Sequence, residues 1–159
     1  MKPTTQVSGG DRIAQRIGSI RKRLASSAGV RVGVPAAAGT YEDGQKIAVI
    51  AAVNEFGSAD GRIPERSFLR VPLRANQGMY AKIFERQLPS VLDGSLTVFQ
   101  ILSQVGARAA GDSQEAIESG IAPPNAPSTI AQKGSSNPLV NDGDLKRSIT
   151  YIVDGETEG

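Results

Sequence analysis

The sequence predicts a single domain that mixes helices with short strands. Three observations carry that reading. The chain has 159 residues, the ordinary length of one domain. Ile13, Ile17, Ile20 and Leu24 repeat with helical period, and longer helical patterns recur downstream. Two stretches, "GVRVGVP" early and "DLKRSITYIVD" late, alternate apolar and polar residues as half-buried strands do.

Residues 1–10, "MKPTTQVSGG", read as a flexible arm, because Pro, Ser, Thr and Gly favour turns. Asp11 suits the N-cap of the first helix, and Gly29 follows its end. Arg12, Arg16, Arg21, Lys22 and Arg23 make the rest of that helix basic. Such a run ordinarily faces water, and otherwise meets phosphates or an acidic subunit. Val30, Val32 and Val34 then predict a short strand that Pro35 stops. Residues 36–46 form a loop, and "IAVIAAVNEFG" predicts a helix from its alanines and its Gly57 stop. Residues 57–72 are turn-rich, with two prolines and three arginines. A second helical pattern surrounds Met79, Ile83 and Leu88 and is expected to break at Pro89. The longest helix starts at a Ser95 cap, with Leu96, Phe99, Leu102, Val105 and Ala109 on one face. Its Gly106 and Gly111 either weaken it or admit a close neighbour. The closing strand carries Leu145, Ile149, Tyr151 and Val153 and is entered through the "NDGD" turn.

Composition excludes several chemistries. There is no Cys, hence no disulfide and no thiolate metal site, and no His, the commonest general base and transition-metal ligand. Aromatic residues are only 4 %, so the core is expected to be aliphatic. A net charge of +2 is too small to imply nucleic acid or an anionic membrane. The longest apolar run, Ile47–Val53, is too short for a membrane span, and no leader pattern is visible. A soluble protein made in a cytoplasm is therefore expected.

No phosphate-binding glycine motif or dinucleotide fingerprint is present. The tightest carboxylate clusters, Glu42–Asp43 and Asp142/Asp144, lie in turn contexts where Asp serves its own backbone. Lys133 beside Ser135 and Ser136 is the one combination resembling a Ser–Lys nucleophile, in a stretch where Gly-Ser steps are ordinary turn material. No catalytic residue, metal ligand or cofactor site is assigned.

Two stretches stand out as contact surfaces. In "NEFG…RIPERSFLR", Phe56, Ile63, Phe68 and Leu69 lie among Arg62, Pro64, Arg66 and Arg70, and interfaces favour aromatics and arginine. Phe56 and Phe68 either anchor this loop on the core or meet a partner. The arginines are expected to pair with a partner's carboxylates, while Phe68 and Leu69 fill its apolar pocket. In "PPNAPSTIAQKGSSNPLV", Pro124, Pro127, Lys133, Pro138 and Leu139 belong to an extended, proline-stiffened loop over 123–140, suited to reach across a neighbour at modest ordering cost.

Taken together, "AAVNEFG", "IPERSFLR", "PPNAPSTIAQKGSSNPL" and "DGDLKRSITYIV" resemble, in order and spacing over residues 51–153, a family of small virion proteins of long-tailed bacteriophages known as tail-completion or neck proteins. Where that family more often reads I-D-T-G-x-L, this chain has Val140-Asn141-Asp142-Gly143-Asp144-Leu145. The resemblance implies a non-enzymatic role without cofactor. It also implies an α+β fold: a small antiparallel sheet packed on one or two main helices, with long loops reaching adjacent subunits. Its implied partners are copies of itself in a ring, often a hexamer, and other neck, connector or tail-tube proteins. Its place would be the head–tail junction of the virion, assembled in the host cytoplasm. No membrane is implied, and DNA at most passes through the lumen. The alternative is a nucleic-acid-binding module using the basic first helix.

Overall fold

The structure, a computed structural model, describes residues 10–24, 28–124, 131 and 143–155. In chain order these form α1 (Gly10–Leu24), β1 (Gly29–Gly33), α2 (Ile47–Phe56), α3 (Arg70–Ala75), α4 (Gln77–Asp93), α5 (Val98–Ser119), α6 (Asp144–Arg147) and β2 (Thr150–Asp154). The fold is α+β, with one small two-stranded antiparallel sheet.

Helix α5 packs against both strands, α3, α4 and α6. Thr97 caps it: its Oγ1 accepts from the Gln100 N–H at 3.1 Å, and Gln100 Oε1 accepts from the Thr97 N–H at 2.9 Å. This reciprocal arrangement satisfies donors that a helix start leaves orphaned. Ser95, the expected cap, instead lies in the preceding turn, its N–H donating to Asp93 Oδ1 at 2.8 Å. The buried face of α5 is Ile101, Val105, Gly106, Ala109, Ala110, Asp112, Ser113 and Ile117. It is rotated from the expected face, and Phe99 and Leu102 are only half-buried. Small side chains explain the difference. They let neighbours approach closely, while a pattern search follows the large apolar residues.

The sheet covers part of that face. Its register pairs Gly29 with Asp154, Arg31 with Ile152 and Gly33 with Thr150. A Cβ on Gly106 would lie 2.4 Å from Tyr151 Cδ2 and 2.6 Å from its Cγ. The tyrosine ring therefore rests on bare helix backbone, and it is this approach that requires glycine at 106. Arg31 Nη2 donates to Asp154 Oδ1 at 2.7 Å across the exposed side of the sheet.

Helices α4 and α5 form an antiparallel pair. Gln87 Nε2 donates to Gln104 Oε1 at 2.7 Å, and Tyr80 Oη donates to Asp112 Oδ2 at 2.7 Å. Arg108 Nε reaches the other oxygen of buried Asp112 at 2.8 Å, one turn earlier on α5. Burial, reinforced by Asp112, pushes the Tyr80 hydroxyl far above its ordinary value. Tyr80→Phe is expected to lower unfolding free energy by about 1 kcal/mol, since it leaves a buried acceptor short of one donor. Urea denaturation measures this, and an unchanged midpoint would remove the bond from the packing of α4.

Pro89 does not break α4, which runs through it to Asp93. The missing N–H is tolerated because Val91, beyond the proline, is completely buried and holds the last turn by packing.

The main core joins Ile47 and Ala51 of α2, Phe68, Ala110 and Ile117 of α5, and Leu145 and Ile149 at the chain's end. Val32, Val34, Ala38, Tyr41, Leu69 and Ile121 pack around it. The core is aliphatic apart from Phe68, as composition predicts. The closing segment is a helical turn followed by a strand, not one strand. Leu145 and Ile149 are both buried and four residues apart, the spacing of a helix rather than of a pleat. No helix among the described residues is long and apolar enough to cross a membrane.

Candidate interaction site

The segment between α2 and α3 is organised by one buried carboxylate. Glu55 is 2 % exposed, although it lies in an apolar helix. Ile47, Ala51 and Glu55 follow at i, i+4 and i+8, so the carboxylate stands on the core face of α2. Its Oε1 accepts from Ser67 Oγ at 2.6 Å, from the Arg70 N–H at 3.0 Å and from Arg70 Nε at 2.9 Å. Its Oε2 accepts from the Leu69 N–H at 2.9 Å.

These bonds cap α3 from outside its own sequence. Leu69, at the N-cap, offers no side-chain oxygen. Glu55 takes the N–H groups of Leu69 and Arg70 instead, and Ser67 Oγ takes that of Val71 at 3.2 Å. Pro72 has no N–H to satisfy, and the Leu73 N–H reaches Leu69 O at 3.1 Å. Every backbone donor of the first turn is thus accounted for, with a negative charge at the helix's positive end. Burial alone pushes the Glu55 carboxyl up. The donors from Ser67, Leu69 and Arg70 outweigh it and hold the carboxyl below its ordinary value.

The loop itself is tightly closed. Gly57 follows α2 with φ of 79°, and a Cβ there would meet the backbone of Ile63 and Glu65 at 3.2 Å. Ser58 N–H donates to Ile63 O at 2.9 Å, and the Ile63 N–H donates to Ser58 Oγ at 2.8 Å. Asp60 accepts from Ser58 Oγ and from the Arg62 N–H, which hold its carboxyl below the usual range. Arg66 N–H donates to Asn54 O at 2.7 Å, which fastens the loop's return to the end of α2.

Arg66 also joins the two stretches that the sequence singles out. Its buried guanidinium donates from Nε to Pro123 O at 2.8 Å and from Nη2 to Pro124 O at 3.2 Å. The "RIPERSFLR" loop and the first residues of the proline-rich segment are therefore one bonded unit.

This arrangement corrects the expected roles of several residues. Phe68 is 0 % exposed inside the chain's own core, and Leu69 packs beside it, so neither ring nor isobutyl group is offered to a partner's pocket. The three arginines expected to meet a partner's carboxylates find partners within the chain. Arg62 pairs with Asp60 at 3.2 Å, Arg70 with Glu55 and Glu65, and Arg66 with main-chain carbonyls. Phe56 does not anchor the loop; it is 63 % exposed, with the Arg70 guanidinium 4.5 Å from its ring centroid. Ile63 and Pro64 are exposed, as is Val71 on α3. Pro124 is exposed, although its carbonyl accepts from Arg66. Pro127, Lys133, Pro138 and Leu139 lie outside the described residues, as do Ser135, Ser136 and Asp142.

Sequence reading overlooks Glu55 and Ser67, the residues that fix the unit. The available signal is the charge at the core-facing position of an otherwise apolar helix. Asp43 does serve its own turn, accepting from the Gln45 N–H at 3.0 Å. Among the described residues no group of three acidic side chains is placed to hold a metal ion. A shallow groove on the outer side of the sheet, lined by Val34, Pro35, Thr150 and Ile152, contains one charged group, Arg31, already bonded to Asp154. Compared with protein-family models, with curated proteins and with solved structures, the chain finds no match.

Proposed function

We propose that the protein is a structural subunit of the head–tail junction of a tailed bacteriophage, where copies close into a ring that completes the tail and joins it to the head-completion proteins. The order and spacing of the four quoted motifs support the reading. The observation that carries it is the bonded unit around Glu55 and Arg66. Its polar residues fix a surface in place instead of lining a cleft. Phe56, Ile63 and Val71 are exposed along that segment, as is Arg62.

A preorganised loop lowers the ordering cost of association, and exposed aromatic and aliphatic groups beside arginine are the usual anchors of an interface. In a ring, each copy offers one face forward and a different face back. The loop supplies one of these two faces.

Sedimentation velocity and negative-stain electron microscopy of the whole chain test this. A ring of about six copies, the symmetry of the tail, is expected. Phe56→Asp and Ile63→Asp, both on exposed side chains, are each expected to weaken assembly by about 2 kcal/mol or more while the circular-dichroism spectrum of the protomer stays that of the parent. A monomer at all concentrations, or rings unaffected by both changes, would sink the reading.

A further inference from the structure

Helix α1 carries an apolar stripe that the described residues leave uncovered. Ile13 is 63 % and Ile17 60 % exposed, Leu24 is also exposed, and only Ile20 is half-buried. The steps between these residues are four, three and four. That is the alternating spacing of a coiled-coil seam, two apolar positions per heptad, not the broad apolar face of a helix lying on lipid. Two isoleucines and a leucine standing in water on one line need an apolar cover.

The flanks of the seam select the cover. Arg16 and Arg21 occupy the two positions that border a heptad seam, and Arg12 and Lys22 continue the positive charge outside it. All four are exposed, and no carboxylate among the described residues pairs with them. A second copy of α1 would bring Arg16 of one helix beside Arg21 of the other, a like-charge contact that opposes self-pairing. Nucleic acid would satisfy the cations and leave the isoleucines in water.

We propose that α1 is a docking helix for an acidic amphipathic helix of a different protein. That partner would lay its own apolar seam on Ile13, Ile17 and Leu24 and place Glu or Asp against Arg16 and Arg21. The assignment does not rest on the ring reading, since it concerns a different face and a different partner.

The test uses the whole chain and a labelled helical peptide of about 20 residues, with leucine at alternating three- and four-residue steps and glutamate at the flanking positions. Fluorescence anisotropy should show saturable binding, abolished by Ile13→Glu/Ile17→Glu and weakened about tenfold by Arg16→Glu/Arg21→Glu. The same peptide with lysine flanks should not bind. Both variants should keep the circular-dichroism spectrum and melting temperature of the parent, because the altered side chains are exposed; loss of the fold would show that the stripe is already covered and would overturn the proposal. It is equally overturned by failure of the acidic peptide to bind or by binding that survives the isoleucine changes. Two further results would assign the stripe to another occupant and overturn it too: self-association dissolved by Ile17→Glu, or isoleucine-dependent binding to duplex DNA or anionic vesicles in place of the peptide.

Discussion

Glu55→Ala is expected to lower the unfolding free energy by about 3–5 kcal/mol, the cost of stripping one partner from a buried, charged hydrogen-bond set. The change removes the acceptor of the Ser67 hydroxyl, of the Leu69 and Arg70 N–H groups and of Arg70 Nε together. A domain is typically stable by only about 5–15 kcal/mol, so such a loss threatens the fold and detaches the loop first. Glu55→Gln should cost less, about 1.5–3 kcal/mol. It keeps one acceptor oxygen but turns an NH2 group toward groups that themselves donate. Glu65→Gln is the control: Glu65 meets Arg70 from an exposed position, and its loss should change stability by less than about 0.5 kcal/mol.

The same carboxylate gives a pH signature. Its folded-state value lies below its ordinary one, so the ionised form stabilises the native state. That contribution is complete at neutral pH. It starts to fall as the pH drops below the ordinary glutamate value, and it is gone once the pH has passed below the folded-state value. In Glu55→Gln this part of the acid sensitivity should vanish. Guanidinium denaturation at a series of pH values measures both effects, and parallel curves for parent and variant would deny Glu55 its place as the organiser of the loop.

Gly106→Ala is expected to cost about 2–3 kcal/mol net. A methyl group there would overlap Tyr151 at Cδ2, Cγ and Cβ, atoms near the root of the side chain, so the strand itself has to shift. Alanine returns only about 1 kcal/mol in helix propensity, which the overlap exceeds. Gly111→Ala, five residues on in the same helix, meets nothing within 4 Å and should stabilise by about 0.5–1 kcal/mol. Opposite signs for the two changes are the result to look for in thermal or urea unfolding. In a Tyr151→Ala background most of the Gly106→Ala cost should disappear, and a full cost retained there would dissociate it from the ring contact.

What could be seen in advance follows a physical division. The elements with strong local periodicity, α1 and β1, are legible from their spacing, and α2 from its alanines and its Gly57 stop. The face of α5 was less so: its contacts run through Gly106, Ala109 and Ala110, whose importance lies in what is absent from them. Leu145 and Ile149 sit at helical spacing beside a real strand, so their alternation invited a single strand where the chain makes a turn of helix first. At the candidate site the sequence left two directions open for the phenylalanines, core anchor or partner contact, and they divide between them. Phe68 points inward and Phe56 outward, and the arginines serve the loop before any neighbour. That division depends on Glu55, whose charge on the core face of α2 is visible in the sequence while its role as a cap for Leu69, fourteen residues on, is not.

The pairing of β1 with β2 has a consequence for the order of assembly. Arg31 and Asp154, which meet across it, are separated by 123 positions, whereas α4 and α5 are chain neighbours. Closing a segment of that length costs about 3 kcal/mol more chain entropy than closing a four-residue turn. The helical hairpin can therefore form from local contacts while the two strands still wander apart. Until they meet, Gly106 presents a bare strip of backbone with no tyrosine on it, so the zipping of β1 to β2 is a late event that waits for its docking groove.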